Sequence, residues 1–173
     1  MSGNSLRVSI AALILSAAGF SFIALDEGYA PKAVPPVPGD VPTYGLGSTT
    51  HADGTPVKAG ETIAPPEAIQ LAVRDISVKE AALKRCIPAE VKLTQGEYDA
   101  IVSLAYNVGA GAVCVSSIPR KLAAGDYAAA CRTILDFKRV QGRDCSLPEN
   151  RSFCGGIWTR RQREYRQCMG EAK

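Results

Sequence analysis

All six cysteines of this 173-residue chain, Cys86, Cys114, Cys131, Cys145, Cys154 and Cys168, lie from its midpoint onward. An even set confined in this way places a covalent framework there and leaves the residues before it to fold without one. No two are spaced Cys-x-x-Cys and the one histidine is His51. A zinc site is therefore not expected, and three disulfides formed in an oxidising compartment are. Cys145 and Cys154 bracket a short loop holding Pro148, with Gly155 just beyond, and are paired first. Chain order and expected packing then suggest Cys86–Cys114 and Cys131–Cys168, joining helix to helix, although six cysteines allow many other pairings.

Ahead of this framework, residues 8–25 (VSIAALILSAAGFSFIAL) carry no charge and follow a single Arg7. The stretch of 18 residues is near the lower limit for crossing a bilayer, which takes about 17–25. Half of it is small or hydroxylic, Ser9, Ser16, Gly19 and Ser21 included, so the span is only weakly hydrophobic. One reading is a cleavable signal peptide. Cleavage after Ala24, however, would leave Glu27 close to a frayed terminus. The preferred reading is an uncut signal-anchor in residues 1–25, recognised by the export machinery, tethering the chain to a bilayer and able to leave it later. Residues 26–173 are then one domain, at about 100–200 residues per domain.

The stretch from Glu27 to His51, EGYAPKAVPPVPGDVPTYGLGSTTH, packs a lone acid, a Pro- and Gly-rich turn, an aspartate and a Thr-x-Gly-x-Gly strand ending into 25 residues. It reads as a β hairpin turning at Gly39-Asp40 and returning over residues 41–46, with Gly45 and Gly47 allowing close backbone approach or a bulge. The alternative is a surface loop between helices. Pro65-Pro66 opens a helix to about Lys84, with Ala68, Leu71, Ala72, Ile76 and Ala82 or Leu83 on one face. Thr94 with Glu97 forms a capping box at the head of a second helix carrying Tyr98, Ile101, Val102, Leu104, Ala105 and Val108. Apolar on most sides, it is the expected central core helix, and Gly109-Ala110-Gly111 ends it. Short helices follow at about 117–124 and 126–136, with Asp126 as a cap, and a last helix at about 158–169. The fold class predicted is α+β: a small N-terminal β-hairpin region plus a disulfide-braced helical lobe, preceded by the hydrophobic anchor helix.

The net charge is +3, yet residues 137–173 hold nine Lys or Arg against four acids. Such a tail either faces something anionic or is a solvated helix. Its aromatics, Phe153 and Trp158 among them, are read as core packing rather than as the stacking platform that nucleic acid requires, so nucleic acid is not an expected partner. His51 is read as a solvated loop residue, and Phe153, Trp158, Tyr98, Tyr106 and Tyr127 as core or core-rim. No metal, no organic cofactor and no obligate oligomer is implied, and the chain is expected to act as a monomer.

Several blocks occur in a telling order: Glu27-Gly28 behind the hydrophobic segment, Val41-Pro42-Thr43-Tyr44-Gly45 with Gly47 and Thr49 or Thr50, and Pro66-Glu67-Ala68 leading to Asp75. Ala105-Tyr106-Asn107-Val108-Gly109-Ala110-Gly111 and Gly156-Ile157-Trp158-Thr159-Arg160-Arg161 with Glu164 complete the set. In this order and spacing the chain resembles the phage-type lysozymes of glycoside hydrolase family 24, and within them the signal-anchor-release endolysins of phages infecting Gram-negative bacteria. The resemblance implies hydrolysis of the β-1,4 bond between N-acetylmuramic acid and N-acetylglucosamine in peptidoglycan, and lysis of the host cell. Such chemistry needs one carboxylic acid for the leaving oxygen and a second carboxylate for the attacking water or the developing positive charge. Glu27 matches the general acid, a role favoured by a partly apolar wall that keeps a carboxyl protonated. Thr43 matches a threonine whose hydroxyl positions a water. Asn107 and Arg160 fall where the family places cleft residues that bind substrate, Arg160 as an ion-pair partner of Glu27.

The departure is at the second carboxylate. By count the family aspartate falls on Pro36, which cannot act as a base, and Asp40, nearer to Thr43, is taken as the displaced replacement. Two alternatives stay open: a lytic transglycosylase that uses Glu27 alone, the sugar's own hydroxyl replacing water, and a catalytically inactive membrane-tethered peptidoglycan-binding protein in which Asp40 and Thr43 are turn residues. The expected course is inactivity at the inner membrane, facing the periplasm, because Glu27 stands just past the span, followed by release to the periplasm and refolding. With no cysteine before Cys86, control by refolding alone is expected rather than thiol exchange.

Overall fold

The computed structural model describes residues 6–35 and 40–171. Its elements in chain order are β1 (Val8–Ser9), α1 (Ala17–Glu27), β2 (Ala30–Val34), β3 (Thr43–Gly45), α2 (Pro65–Cys86), β4 (Lys92–Leu93), α3 (Gln95–Val108), α4 (Ala110–Val115), α5 (Ile118–Ala123), α6 (Tyr127–Thr133), β5 (Arg139–Val140), β6 (Arg143–Asp144) and α7 (Arg151–Cys168). They group into a helical unit, Met1–Gly19 with Lys79–Lys173, and a β unit, Phe20–Val78. The α+β outline read from the sequence holds, with helices and small two-stranded sheets.

In the helical unit α3 is the centre. The Thr94 hydroxyl accepts from the Glu97 amide at 3.2 Å while the Glu97 carboxylate accepts from the Thr94 amide at 2.8 Å, so both halves of the capping box are made. Every residue from Glu97 to Ala105 is buried. Leu83, Leu93, Val113, Ile118 and Ile134 have no exposed surface, and each such side chain contributes about 1.5–3 kcal/mol by leaving water. Disulfides join Cys86 to Cys114, Cys131 to Cys168 and Cys145 to Cys154, the pairings expected.

Three features of this unit differ from expectation. Gly109, at φ +88°, redirects the chain rather than stopping it, and α4 starts at the next residue. The last helix begins at Arg151 instead of Trp158, with one non-helical residue at Cys154, where the disulfide to Cys145 takes over from the helix ladder; Gly155-Gly156 continue the helix beyond it. A hairpin not foreseen, β5–β6, turns on Gln141 at φ +49° and Gly142 at φ +78°, the positive pair that a two-residue turn of matching twist requires.

Residues 8–25 do not form one anchor helix. Val8 pairs with Leu93 and Ser9 with Lys92, Ile10–Ala12 make a 3-10 turn, and α1 starts only at Ala17. Hydroxyls cut the stretch into pieces, that of Ser9 accepting from the Ala11 amide and that of Ser16 from the Gly19 amide. Ile10 and Leu13 are buried. Among the described residues no helix is long and apolar enough to cross a membrane.

The β unit is built on β2 and β3, antiparallel, with Ala30 opposite Gly45 and Val34 opposite Thr43 and an irregularity between those pairs. Pro36 and Gly39, the expected gap and turn positions, lie outside the described residues. The return strand is shorter than expected: Val41 is exposed and Pro42 has no N–H to give a ladder. Ala33, Tyr44, Val57, Ile63, Ala68 and Leu71 form the core. At Gly45 (φ +62°) a Cβ would stand 2.9 Å from the Ala68 Cβ of α2, so only glycine lets the strand lie this near the helix. The buried positions of α2, namely Ala68, Leu71, Ala72, Ile76 and Leu83, follow the face read from its periodicity.

Candidate active site

Glu27 is the last residue of α1 and is half-buried. Gly28, at φ +68°, ends the helix, its amide donating to the Ala24 carbonyl at 3.0 Å. The wall beside the Glu27 carboxyl is a tight glycine turn. Gly47 and Ser48 both donate their amides to the Tyr44 carbonyl, at 3.2 and 3.0 Å, which throws Gly47 to φ +93°. A Cβ on Gly47 would lie 3.3 Å from Glu27 Oε2. The Gly-x-Gly signal thus has two jobs, Gly45 against α2 and Gly47 against the acid.

The turn is braced from α2. The Ser48 hydroxyl, 2% exposed, donates to Asp75 Oδ2 at 2.8 Å. Arg74 donates through Nε and Nη2 to Asp75 Oδ1 at 3.1 and 2.7 Å, through Nη2 to the Thr50 hydroxyl at 2.9 Å, and through Nη1 to the His51 carbonyl. Asp75 and Thr50 are landmarks of the resemblance and His51 reads as a loop residue, but Ser48 and Arg74 carry no local signal, because nothing in one-dimensional spacing pairs position 48 with position 75.

Thr43 opens β3, half-buried, and Asp40 sits in an exposed bend ahead of it. His51 is not the solvated loop residue expected: its Nδ1 is hydrogen-bonded to the Tyr44 hydroxyl at 3.0 Å and its Nε2 lies 2.9 Å from Glu61 Oε2. The Lys58 amide holds the Glu61 carboxyl below its ordinary value, with help from His51, and burial pushes the Tyr44 hydroxyl up. Beside this group opens a hollow of about 730 Å³ lined by Tyr44, His51, Ile63, Glu67, Leu71 and Arg74 among others, but not by Glu27, Asp40 or Thr43.

In the helical unit Asn107 lies in the last turn of α3, its Oδ1 accepting from Arg161 Nη2 at 2.9 Å. Arg160 donates from Nε to Glu164 Oε1 at 3.2 Å, and Arg161 Nε lies 2.9 Å from Glu164 Oε2. The Ser103 hydroxyl adds a 2.8 Å bond to the same carboxylate. Arg160, Arg161, Glu164 and Ser103 are all buried. Burial pushes the Glu164 carboxyl above its ordinary value, against the pull of the two guanidiniums. The Arg-Arg-x-x-Glu spacing carries this cluster, since residues three and four apart share a helix face. Phe153, expected in the core, is 46% exposed under the Arg143 guanidinium, 4.6 Å from the ring centre.

Residues 25–164 match the model of the family described as Phage lysozyme. The chain is similar to the endolysin of Salmonella phage P22, 33% identical over 138 residues that cover 79% of this chain and 92% of that protein. It is similar also to the SAR-endolysin of Haemophilus phage HP1, 30% identical over 145 residues covering 78% of this chain and 70% of that one. Among solved structures, the endolysin from Escherichia coli O157:H7 phage FAHEc1 superposes with a TM-score of 0.76 at 28% identity, covering 91% of this chain and 94% of that chain. The fold is therefore lysozyme-like, and the chain belongs to the phage lysozyme family.

Proposed function

We propose that this protein is an endolysin: a muramidase that hydrolyses the β-1,4 bond between N-acetylmuramic acid and N-acetylglucosamine in peptidoglycan and so lyses the host cell. Family membership over residues 25–164 supports the activity. The single observation that carries the assignment of the acid is the half-buried Glu27 carboxyl beside Gly47, where a Cβ would come within 3.3 Å of its Oε2, a closer contact than side chains ordinarily make. In this reading Glu27 protonates the leaving oxygen. Asp40 is the second carboxylate, reaching the reacting sugar from the bend ahead of β3, and the Thr43 hydroxyl positions the water. Asn107 contacts substrate, and Arg160, expected there too, is buried on Glu164 and supports the site without touching substrate. No cofactor enters the scheme.

The same reading extends to localisation. Residues 8–25 serve first as a weakly hydrophobic signal-anchor, exported through Sec and holding the chain at the periplasmic face of the inner membrane, and afterwards as the β1 and α1 elements of the released monomer. Similarity to a SAR-endolysin and the uncharged composition of the stretch support this. Fractionation of membranes carrying the full chain, followed by intact mass, checks it. Uncut protein passing from membrane to soluble fraction is the expected outcome, and a mass lacking the first 24 residues would replace the anchor with a cleaved signal.

The catalytic reading is tested by mass spectrometry of sugar products from purified peptidoglycan, using wild type, Glu27→Gln and Asp40→Asn. Reducing muramic ends that disappear in both variants are expected. Anhydro ends made by the wild type and unaffected in Asp40→Asn would make the protein a lytic transglycosylase resting on Glu27, and cleavage retained by Glu27→Gln would remove Glu27 from the chemistry.

A further inference from the structure

We propose that the hollow beside Trp158, in the helical unit, is a second sugar-binding site that takes a carboxylate-bearing amino sugar, N-acetylmuramic acid. It gives the protein a hold on its polymer through residues other than those assigned to the chemistry. The choice of this sugar rests on the peptidoglycan reading; the hollow itself does not. Its volume is about 310 Å³, and it is lined by Ser146, Leu147, Pro148, Arg151, Trp158 and Gln162 among others. That is the low end of the ~300–1,000 Å³ range of ligand pockets, room for one substituted sugar ring and not for a chain. Glu27, Asp40, Thr43 and Asn107 are not among its lining residues.

The walls are held before any ligand arrives. The disulfide between Cys145 and Cys154 ties the loop that follows β6 to α7. Within that loop the Ser146 amide and hydroxyl donate to Asp144 Oδ1 at 2.9 and 2.6 Å, and Asn150 Nδ2 donates to the Asp144 carbonyl at 2.9 Å. On α7, Gly155, Trp158, Thr159 and Gln162 share one face at helical spacing. A Cβ at Gly155 would stand 3.0 Å from Arg151 Cγ, so glycine gives the arginine stem its room. A site fixed in this way loses little conformational entropy on binding.

The lining suits one kind of ligand. The half-buried Trp158 indole is a flat apolar surface for the C–H face of a pyranose ring. Leu147, 43% exposed, and Pro148 add apolar surface for a methyl group. Ring hydroxyls and an acetamido group call for a donor and an acceptor together, which the Gln162 amide supplies. Ser146 and Thr159 are spent internally, on Asp144 and on the Gly155 carbonyl at 3.1 Å. Arg151 and Gln162, by contrast, make no ion pair or side-chain hydrogen bond among the described residues. Arg151 is the one charged side chain among the described residues that line the hollow, and a guanidinium grips a carboxylate through two parallel bonds. The surrounding charges agree in sign. Lys138 Nζ stands 5.7 Å from the centre of the Trp158 ring and neutralises Asp144 at 3.0 Å, and the Arg143 guanidinium covers Phe153. Glu149 is exposed in the turn before α7 and does not line the hollow. The nine Lys or Arg against four acids in residues 137–173 draw anions toward this part of the chain. A neutral sugar would leave Arg151 unused, and a simple anion would leave the indole unused.

Trp158 is the one tryptophan of the chain, so emission excited where only indole absorbs reports on the hollow directly. Full-length wild type and Arg151→Gln are titrated with N-acetylmuramic acid, N-acetylglucosamine and glucuronic acid, with thermal unfolding as the control for folding. In the wild type a saturable change with N-acetylmuramic acid is expected, and binding about tenfold weaker for either other sugar; this comparison needs no variant. Arg151→Gln should bind N-acetylmuramic acid about tenfold more weakly at unchanged Tm. On insoluble peptidoglycan the same variant should raise KM about threefold or more and leave kcat unchanged. An emission that does not respond overturns the site. Equal binding of N-acetylglucosamine, or undiminished binding by Arg151→Gln, overturns the carboxylate contact, and equal binding of glucuronic acid overturns the assignment to a wall sugar. Failure of the muramidase reading is a separate result, seen as a wild type that releases no reducing muramic ends whatever Trp158 reports.

Discussion

Gly47 and Gly54 separate two effects that a glycine substitution usually mixes. Both have positive φ, +93° and +86°, so an alanine at either carries left-handed strain of about 1–2 kcal/mol. At Gly54 nothing lies within 4 Å of the new Cβ, while at Gly47 it meets Glu27 Oε2 at 3.3 Å. Gly47→Ala and Gly54→Ala should therefore lose similar stability in urea titrations, and Gly47→Ala alone should lose activity on peptidoglycan, by about tenfold or more. The buried cluster on α7 makes a different prediction at the same scale. Glu164→Ala leaves Arg160 and Arg161 without the carboxylate they share, which should cost about 3–5 kcal/mol, read as a lower urea midpoint at unchanged slope. An equal midpoint would mean that the two guanidiniums find water or other partners.

At the scale of elements, the β5–β6 hairpin stands on Asp144. The Ser146 hydroxyl and amide, with Lys138, hold its carboxyl down to about 2 from an ordinary 3.8. A carboxyl depressed by folding stabilises the native state above its unfolded value and ceases to do so as pH falls through the native one. The Tm difference between wild type and Asp144→Asn should thus be full above pH 3.8 and close as pH falls through about 2. This hairpin was not legible in the sequence, because two residues per strand leave no alternation to read and the signal sits in Gln141-Gly142, where a glutamine takes the positive φ that asparagine usually takes. α2 and α3 were legible for the opposite reason: Pro65 and the Thr94–Glu97 box mark their starts, and their apolar faces run for several turns. α1 was half legible. Its composition announced a helix, but Ser9 and Ser16 act as caps only once Ala89, Glu80 and Asp99 are brought beside the segment from far along the chain. The candidate site divided in the same way: Glu27, Thr43 and the glycine pair carry local signals, whereas Ser48–Asp75 is a pairing made by the fold.

For the whole molecule, the three disulfides close loops of 28, 37 and 9 residues, all within the helical unit. Loop-closure entropy ranks them: removing Cys131–Cys168 should cost about 4 kcal/mol, Cys86–Cys114 slightly less, and Cys145–Cys154 about 2.5 kcal/mol. Paired Cys→Ala variants followed by hydrogen exchange check the order, with faster exchange expected in α3 and α7 and the amides of residues 30–63 unaffected. A larger loss for the nine-residue loop would show that the break at Cys154 matters more than chain entropy. The distribution of these links also works as a clock. Thiols stay reduced in a cytosol and close into disulfides only in an oxidising compartment. Until they close, α2, α4, α6 and α7, which hold Cys86, Cys114, Cys131, Cys154 and Cys168, lack the covalent ties that make their packing durable. Entry into an oxidising space would thus date the moment at which the protein becomes hard to unfold.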